Sequence, residues 1–324
     1  MSRQTYQSAI ADTVSVVVPS YNHAPFIEKC LRSILNQTLE PLELIVIDDG
    51  SGDESTQIIE RTLKDCAVPC ELIARENKGL CATLNEGLVR SKGAYFAYLG
   101  SDDMWLPTFL DARTRLLETR ADAVLAYGHA YSIDEANNIL DCTCDWANYV
   151  DGDAQEALLA RGLAPMSPTV MYRRAPLARH GWNEASKLED YELYLRLSAD
   201  GEFAFDSQVL SAWRRHSYNT SRDLDFMANE CFATQRRVTA YLGLSAEQLA
   251  VFQTALKWKY AGDFARNGDK RKALDLMLRN LSGAPSTTSI VWQAANLFTP
   301  PWIRRWRRRA FQRQARGHYG DVKV

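Results

Sequence analysis

Hydrophobic positions divide the chain into two regimes. Over residues 14–99, short and nearly unbroken apolar runs alternate with stretches that are apolar at every third or fourth position. The runs 14–18, 44–47, 71–74 and 94–99 have the length and the β-branched or aromatic content of strands. Residues 24–38 place Phe26, Ile27, Leu31, Ile34 and Leu35 at helical spacing behind Pro25, and 54–64 and 80–90 repeat that pattern. Strands without a polar face are buried on both sides, the habit of a parallel sheet covered by its crossover helices. Right-handed crossovers then predict a doubly wound, Rossmann-like half.

Beyond residue 105 the alternation loosens. The pattern predicts a helix over 106–118, a strand over 123–127 and a strand pair turned at Asn137-Asn138. It continues with a strand over 166–172, a helix over 188–199 and two short strands, 203–205 and 209–213. From residue 223 the chain reads as helical, near 223–242, 245–266 and 270–281. The expected fold class is α/β with a helical C-terminal extension.

Composition adds bounds. With 46% hydrophobic and 24% charged residues and a net charge of −2, the 324 residues suit a globular protein and argue against a nucleic-acid partner. The charge is uneven: from Pro301 onward eight Lys/Arg stand against Asp321 alone, so the body is acidic. Seven cysteines, with only Cys66/Cys70 and Cys142/Cys144 close together, show no zinc-ligand spacing and read as reduced thiols. Met1 to Asp12 has no apolar signal core, and no apolar run approaches the ~20 residues that span a bilayer. The expected location is cytoplasmic, peripheral to the membrane's inner face if membrane-bound.

Candidate chemistry sits where strands end. Asp102-Asp103 follows the run 94–99, and Asp48-Asp49-Gly50-Ser51 follows 44–47. A doubly wound sheet brings both to its carboxyl edge, where ligands bind. Either pair reads as turn or cap chemistry, with Ser101 or Asp102 capping a helix near Leu106-Pro107. Alternatively, adjacent acids hold a divalent cation, which takes oxygen ligands. A third acidic group, Glu189-Asp190, opens the predicted helix 188–199.

Several segments in order carry a resemblance. Val16-Val17-Val18-Pro19-Ser20-Tyr21-Asn22, Ser33-Ile34-Leu35-Asn36-Gln37-Thr38 and Ile45-Val46-Ile47-Asp48-Asp49-Gly50-Ser51 resemble the opening of a family 2 glycosyltransferase of the GT-A fold. Asn77-Lys78-Gly79-Leu80, Asn85-Glu86-Gly87, Lys92-Gly93 and Ser101-Asp102-Asp103 continue it. Leu188 to Leu197 resembles that family's acid-rich helix start, and Trp213-Arg214-Arg215-His216 through Ser221 its late Arg/His segment. The likeness covers about two-thirds of the chain, Val14 to Ser221. It implies a glycosyltransferase unit over 1–222, with a nucleotide-binding half near 13–105 and an acceptor half near 106–222. Residues 223–324 form the helical C-terminal region.

The resemblance implies roles. Pro19, Tyr21 and Asn22 would line base and ribose, Asp48 or Asp49 would accept hydrogen bonds from them, and Gly79 would let the backbone approach the nucleotide. Asp102 would face the ribose, Asp103 would bind Mg²⁺ or Mn²⁺ on the diphosphate, and Arg214 and His216 would meet the leaving group. Asp190 would be the base in an inverting displacement, with Glu189 as its fallback. Where many relatives carry a further acid, this chain has Gly100. The donor implied is a nucleotide sugar, UDP-linked before dTDP- or GDP-linked. The acceptor is a saccharide or lipid-linked saccharide of surface polysaccharide synthesis.

Other readings remain open. A nucleotidyltransferase also gathers acids at such a sheet edge, but would show a Gly-rich basic loop, and none follows Val18. A non-catalytic saccharide-binding scaffold would not need Asp103 and Asp190. His23 reads as structural, and Trp105, Trp146 and Trp182 as core or sugar-stacking rings. Trp302, Ile303, Trp306, Ala310 and Phe311 fall near one face of a helix behind Pro300-Pro301. Residues 300–316 therefore suit either an anionic membrane surface or docking on the acidic body.

Overall fold

A computed structural model describes residues 10–216, 223–320 and 322. The expected polar stretch before residue 10 and the end of the late Arg/His segment, 217–221, lie outside these. The first half alternates as the pattern predicts. β1 (Ile10–Ser20), α1 (Ile27–Leu35), β2 (Glu43–Asp48), α2 (Ser55–Leu63), β3 (Cys70–Ala74), α3 (Leu80–Arg90) and β4 (Gly93–Tyr98) follow in turn. β1 pairs in parallel with β2 on one side and β4 on the other, and β2 pairs in parallel with β3. Residues of β1 alternate between two cores: Val14, Val16 and Val18 enter one, and Val17 the other. That alternation is why the strand shows no polar face.

The parallel arrangement stops at β4. β5 (Met104–Trp105), α4 (Phe109–Thr119), β6 (Ala123–Ile133), β7 (Ile139–Cys142), α5 (Gln155–Arg161), β8 (Met171–Arg173), α6 (Arg174–His180), α7 (Glu189–Leu197) and β9 (Glu202–Arg214) complete the sheet region. The strand order is β3-β2-β1-β4-β8-β6-β9-β5, with β7 on β6, so the described residues form one mixed sheet. β8 is antiparallel to both β4 and β6, while β6 and β9 run parallel. The predicted strand 166–172 is shorter, because Ser167–Thr169 forms a 3-10 turn after which only Met171–Arg173 pairs.

The two strands expected at 203–205 and 209–213 are one, β9, interrupted where its register against β6 shifts around His129. Gly128 explains the interruption. A Cβ there would lie 2.4 Å from both the Asp206 carbonyl and the Arg113 guanidinium. Buried Arg113 pairs with Asp206 at 2.5 Å, so the irregularity is tied down by an ion pair.

The region after residue 223 is helical: α8 (Leu224–Val238), α9 (Ala246–Asn267), α10 (Lys270–Arg279), α11 (Thr287–Phe298) and α12 (Pro301–Tyr319). Asp223, Ser245, Asp269 and Ser286 each cap the helix that follows, Ser245 within a capping box. Ala228, Leu256, Phe264, Met277 and Leu297 share one core with Val17, Phe96 and Tyr194, so this region packs directly on the sheet layer. Among the described residues no helix is long and apolar enough to cross a membrane.

Two tryptophans offered as sugar-stacking rings are core. Trp105 is fully buried, stacks on Phe109 at 4.2 Å and donates its indole N–H to the Pro168 carbonyl at 2.7 Å. Trp182 is packed against Phe96, Tyr98 and Tyr172. Trp105→Ala is expected to cost about 3–5 kcal/mol in chemical denaturation. A loss under about 1 kcal/mol would show the site is not close-packed.

Candidate active site

The site lies at the carboxyl ends of β1, β2 and β4, at the switch point where β1 has β2 on one side and, reached only after β3, β4 on the other. Such a switch point opens a crevice in an α/β sheet. Here the crevice is a cavity of about 1290 Å³. Pro19, Ser20, Tyr21, Asn22, Asp49 and Gly79 line one part of it. Gly100, Asp102, Asp103 and His216 line a second part, and Glu189, Asp190, Trp146, Met166, Trp213 and Arg215 a third.

The first part is held by its own polar groups. Asp48 is buried and absent from the lining: its carboxylate accepts from the Ser51 N–H (2.9 Å) and hydroxyl (2.7 Å). Asn22, at φ 54, accepts from the Gly52 N–H at 2.8 Å and donates its own N–H to Ser51 Oγ at 2.9 Å. The left-handed region is one that Asn tolerates better than most residues. Asp49 takes the N–H groups of Lys78 (2.9 Å) and Gly79 (2.8 Å) as well as the Arg75 guanidinium. Gly79, at φ 90 with no atom within 4 Å of a Cβ position, turns that loop toward the cavity. Tyr21 is half exposed on the cavity wall.

The second part joins strand ends far apart in sequence. The Arg214 backbone N–H donates to Asp103 Oδ1 at 2.7 Å, and its guanidinium Nε donates to the Asp102 carbonyl at 2.7 Å. That guanidinium also donates to the Asp134 carbonyl at 2.7 Å and lies 4.8 Å over the Phe26 ring. It is buried and absent from the lining, where Arg215 appears instead. His216 Nε2 lies 2.8 Å from Asp102 Oδ2. His23 Nδ1 lies 3.8 Å from Asp102 Oδ1 and 2.7 Å from Ser101 Oγ. The helix cap considered for Ser101 and Asp102 does not form: Met104 and Trp105 pair as a strand, and Phe109 starts the helix with Thr108 before it.

His23, Asp102 and His216 each bring one ligand atom within 4.8 Å of the others. Their chemistry fits a divalent cation. Burial lowers the His23 pKa and Asp102 only partly opposes this, which favours the neutral imidazole that metals bind. Burial would raise Asp102, but the hydrogen bond to His216 and the nearby His23 hold it below the usual range. Asp103 is pushed well above its ordinary value by burial and then by the charge of Asp102. A cation beside Asp102 would relieve that repulsion. The donors thus gather around Asp102, with Asp103 adjacent and one of its oxygens taken by Arg214.

The third part holds the paired acids that open α7. Both face the cavity and are enclosed by protein elsewhere. Burial raises Asp190 to about 6, against the Tyr191 N–H on its Oδ1 at 2.6 Å. Burial and then the Asp190 charge raise Glu189 to about 8.

Comparison with known proteins fits this geometry. A family profile described as glycosyl transferase family 2 matches residues 15–181, over half of the chain. The chain belongs to glycosyltransferase family 2. Among curated relatives, Chondroitin synthase of Escherichia coli is 29% identical over 235 residues, which cover 71% of this chain and 33% of that one. The chain therefore spans about a third of that relative's length. Among solved structures, the mannosyltransferase PcManGT from Pyrobaculum calidifontis, in complex with GDP-Man and Mn²⁺, aligns with TM-score 0.57 at 18% identity. That alignment covers 97% of this chain and 89% of the other. S. aureus TarS 1-349 in complex with UDP-GlcNAc aligns with TM-score 0.52 at 16% identity, covering 80% and 82%. The fold is thus that of GT-A glycosyltransferases.

In this family 2 glycosyltransferase, the structure gathers all the predicted site residues at one sheet edge, with Asp48 and Arg214 just behind the cavity wall. Sequence reasoning set aside His23, which directly follows Tyr21-Asn22 and so had to share their loop. It also missed Arg75, which braces Asp49 and also pairs with Glu86 at 2.9 Å.

The raised acids carry a stability consequence. From ordinary values of 4.5 and 3.8, Glu189 and Asp190 keep their protons to higher pH folded than unfolded. Stability therefore falls as pH rises from about 4 toward about 8. Glu189→Gln is expected to melt higher than the parent at pH near 8 and close to it near pH 4.5. A gap that does not change with pH would contradict the assignment.

Proposed function

We propose that this glycosyltransferase moves a sugar from a nucleotide-sugar donor to a saccharide acceptor, with inversion at the anomeric carbon and a divalent cation at Asp102, His216 and His23. One observation carries the reading: a single cavity has a carboxylate-imidazole cluster on one wall and a half-buried carboxylate of raised pKa, Asp190, on another. The solved relatives' bound GDP-Man, Mn²⁺ and UDP-GlcNAc support a nucleotide-sugar donor. A UDP-sugar is the first donor to test.

In this reading, Tyr21 stacks on the base, and the Asp49-braced loop at Gly79 brings backbone to the nucleotide. Asp102, His216 and His23 would hold the cation, with Asp103 beside them. Two imidazoles in the set favour Mn²⁺ over Mg²⁺. A cation bound there would supply positive charge to offset the negative charge of the diphosphate leaving group. Arg215 is the cationic side chain facing the cavity, and Arg214 positions Asp102 and Asp103 from behind. Asp190 takes the proton of the acceptor hydroxyl as that oxygen forms the new bond. Its raised pKa brings it nearer working pH than an ordinary carboxylate, which suits a general base. The similarity to Chondroitin synthase supports a role in polysaccharide synthesis.

Asp190→Asn is expected to lower kcat by about 10²–10⁴-fold while sparing thermal stabilisation by UDP and Mn²⁺. Full activity in that variant would remove Asp190 from the reaction. Because Asp190 works ionised, kcat should climb as pH rises through about 6 and lose that limb in the variant. Release of a free nucleoside diphosphate identifies sugar transfer, whereas release of pyrophosphate would show a nucleotidyltransferase. No turnover of any donor in a panel that stabilises the protein would favour a binding scaffold.

Asp102→Ala is expected to weaken Mn²⁺-dependent UDP binding by at least about tenfold, read by calorimetry with and without Mn²⁺. Equal binding in the parent with and without Mn²⁺ would overturn the cation assignment.

A further inference from the structure

The transfer chemistry leaves the last two helices unused. α11 carries no charged residue, and its solvent face is apolar: Val291 is 70% and Phe298 81% exposed, beside exposed Trp292 and Ala295. Its other face holds it in place through buried Gln293 and Leu297, with Gln293 donating to the Trp258 carbonyl at 3.2 Å. Scattered exposed apolar residues are ordinary on a protein surface, but a helix face made of them is not.

Thr299-Pro300 leads directly into α12, which divides into two faces. One is docked on the body. Ala315 is buried, the Arg304 guanidinium donates to the Ala265 carbonyl at 2.7 Å and the Tyr319 hydroxyl donates to Asp145 at 2.9 Å, while Arg316, at the border of the two faces, pairs with Asp134 at 3.2 Å. On the other face stand Trp302 and Trp306, four residues apart and about two-thirds exposed. Arg305, Arg309 and Arg313 repeat at the same spacing, each three or seven residues from a tryptophan, so all five share that face. The three arginines are exposed, and among the described residues none forms an ion pair. Phe311, five residues past Trp306, falls outside this face, which corrects the grouping drawn from sequence.

Charge identifies the occupant. Residues 276–320 carry eight arginines and no acid, and setting these aside takes the formal charge of the chain from −2 to −10. We propose that the apolar face of α11 and the Trp/Arg face of α12 form one surface that seats on an anionic phospholipid membrane. Tryptophans suit headgroup depth, arginines meet lipid phosphates, and Val291 and Phe298 reach the acyl boundary. Nucleic acid would use the arginines and leave Val291 and Phe298 without a role. A second copy would set one arginine face against another.

The membrane contact stands apart from the transfer reaction, but its geometry serves it. β7 and the turn after it, on which α12 docks, place Asp141, Thr143 and Trp146 on the cavity wall. An acceptor saccharide carried on a lipid of the same membrane would be presented beside that wall. This last step rests on the transferase reading.

The test is co-sedimentation of the full chain with phosphatidylcholine vesicles, with or without phosphatidylglycerol. The parent should bind the anionic vesicles and not the neutral ones, and release them as salt rises. R305E/R309E/R313E should lose about a hundredfold or more in affinity. V291S/F298S should lose about tenfold or more. Retained thermal stabilisation by UDP with Mn²⁺ shows that each variant is folded and separates this proposal from the site reading. Equal binding to both vesicle types, no binding to either, or an arginine variant that binds like the parent would each overturn it. So would a self-association lost in these variants, or an oligonucleotide that displaces the vesicles.

Discussion

Arg214 ends β9 with its guanidinium buried, and two of its contacts, with one made by His216, decide where the site is. Its N–H fixes the Asp103 carboxylate, its Nε holds the Asp102 carbonyl, and His216 two residues on reaches the Asp102 carboxylate. Without that tie, the Gly100-to-Asp103 turn would be an ordinary solvated loop with two acids repelling one another. Burial lowers the pKa of the guanidinium, and Asp103 and then Asp102 act against that shift. The arginine stays in place because the carbonyls of Asp102 and Asp134 satisfy it and Phe26 covers it.

The same economy runs along the Tyr21 side of the cavity. Asp48 and Asp49 look equivalent in sequence but do different work: Asp48 closes the turn at Ser51, and Asp49 spans to Lys78 and Gly79. Gly50, at φ 81, stands between that turn and the next loop, and a Cβ there would lie 2.8 Å from the Asn77 nitrogen. Gly100 is the counterpart on β4. A side chain there would begin 3.0 Å from Asp102 and 3.4 Å from Asp103, so an acid at this position would crowd two carboxylates. Here the space beside Asp102 is taken by imidazoles on two sides.

How much of this was legible in the sequence follows from the range of the interactions. β1 to β4 and their helices were readable because β1, β2 and β4 are buried on both faces and each strand is joined to the next by one crossover, so local pattern and tertiary position agree. β5 and β9 were not. Met104 and Trp105 are a strand only because Ala212 and Ser211 lie opposite them. The continuity of β9 depends on β6, with Gly128 and Arg113 permitting the irregularity. Site acids stood out as pairs at two strand ends and a helix start, and Arg214 and His216 stood out with them, but Arg75 did not. His23 looked like a loop residue, and Arg214 looked like a leaving-group cation until its burial showed it holding backbone instead.

A crystal structure of the parent protein with UDP and Mn²⁺, with anomalous scattering used to locate manganese, tests the central claim most directly. Manganese is expected within bonding distance of the Asp102 carboxylate and His216 Nε2, with diphosphate oxygens completing its shell and the uracil against Tyr21. UDP bound in the cavity with no manganese beside Asp102, or manganese bound elsewhere, would contradict the site as described.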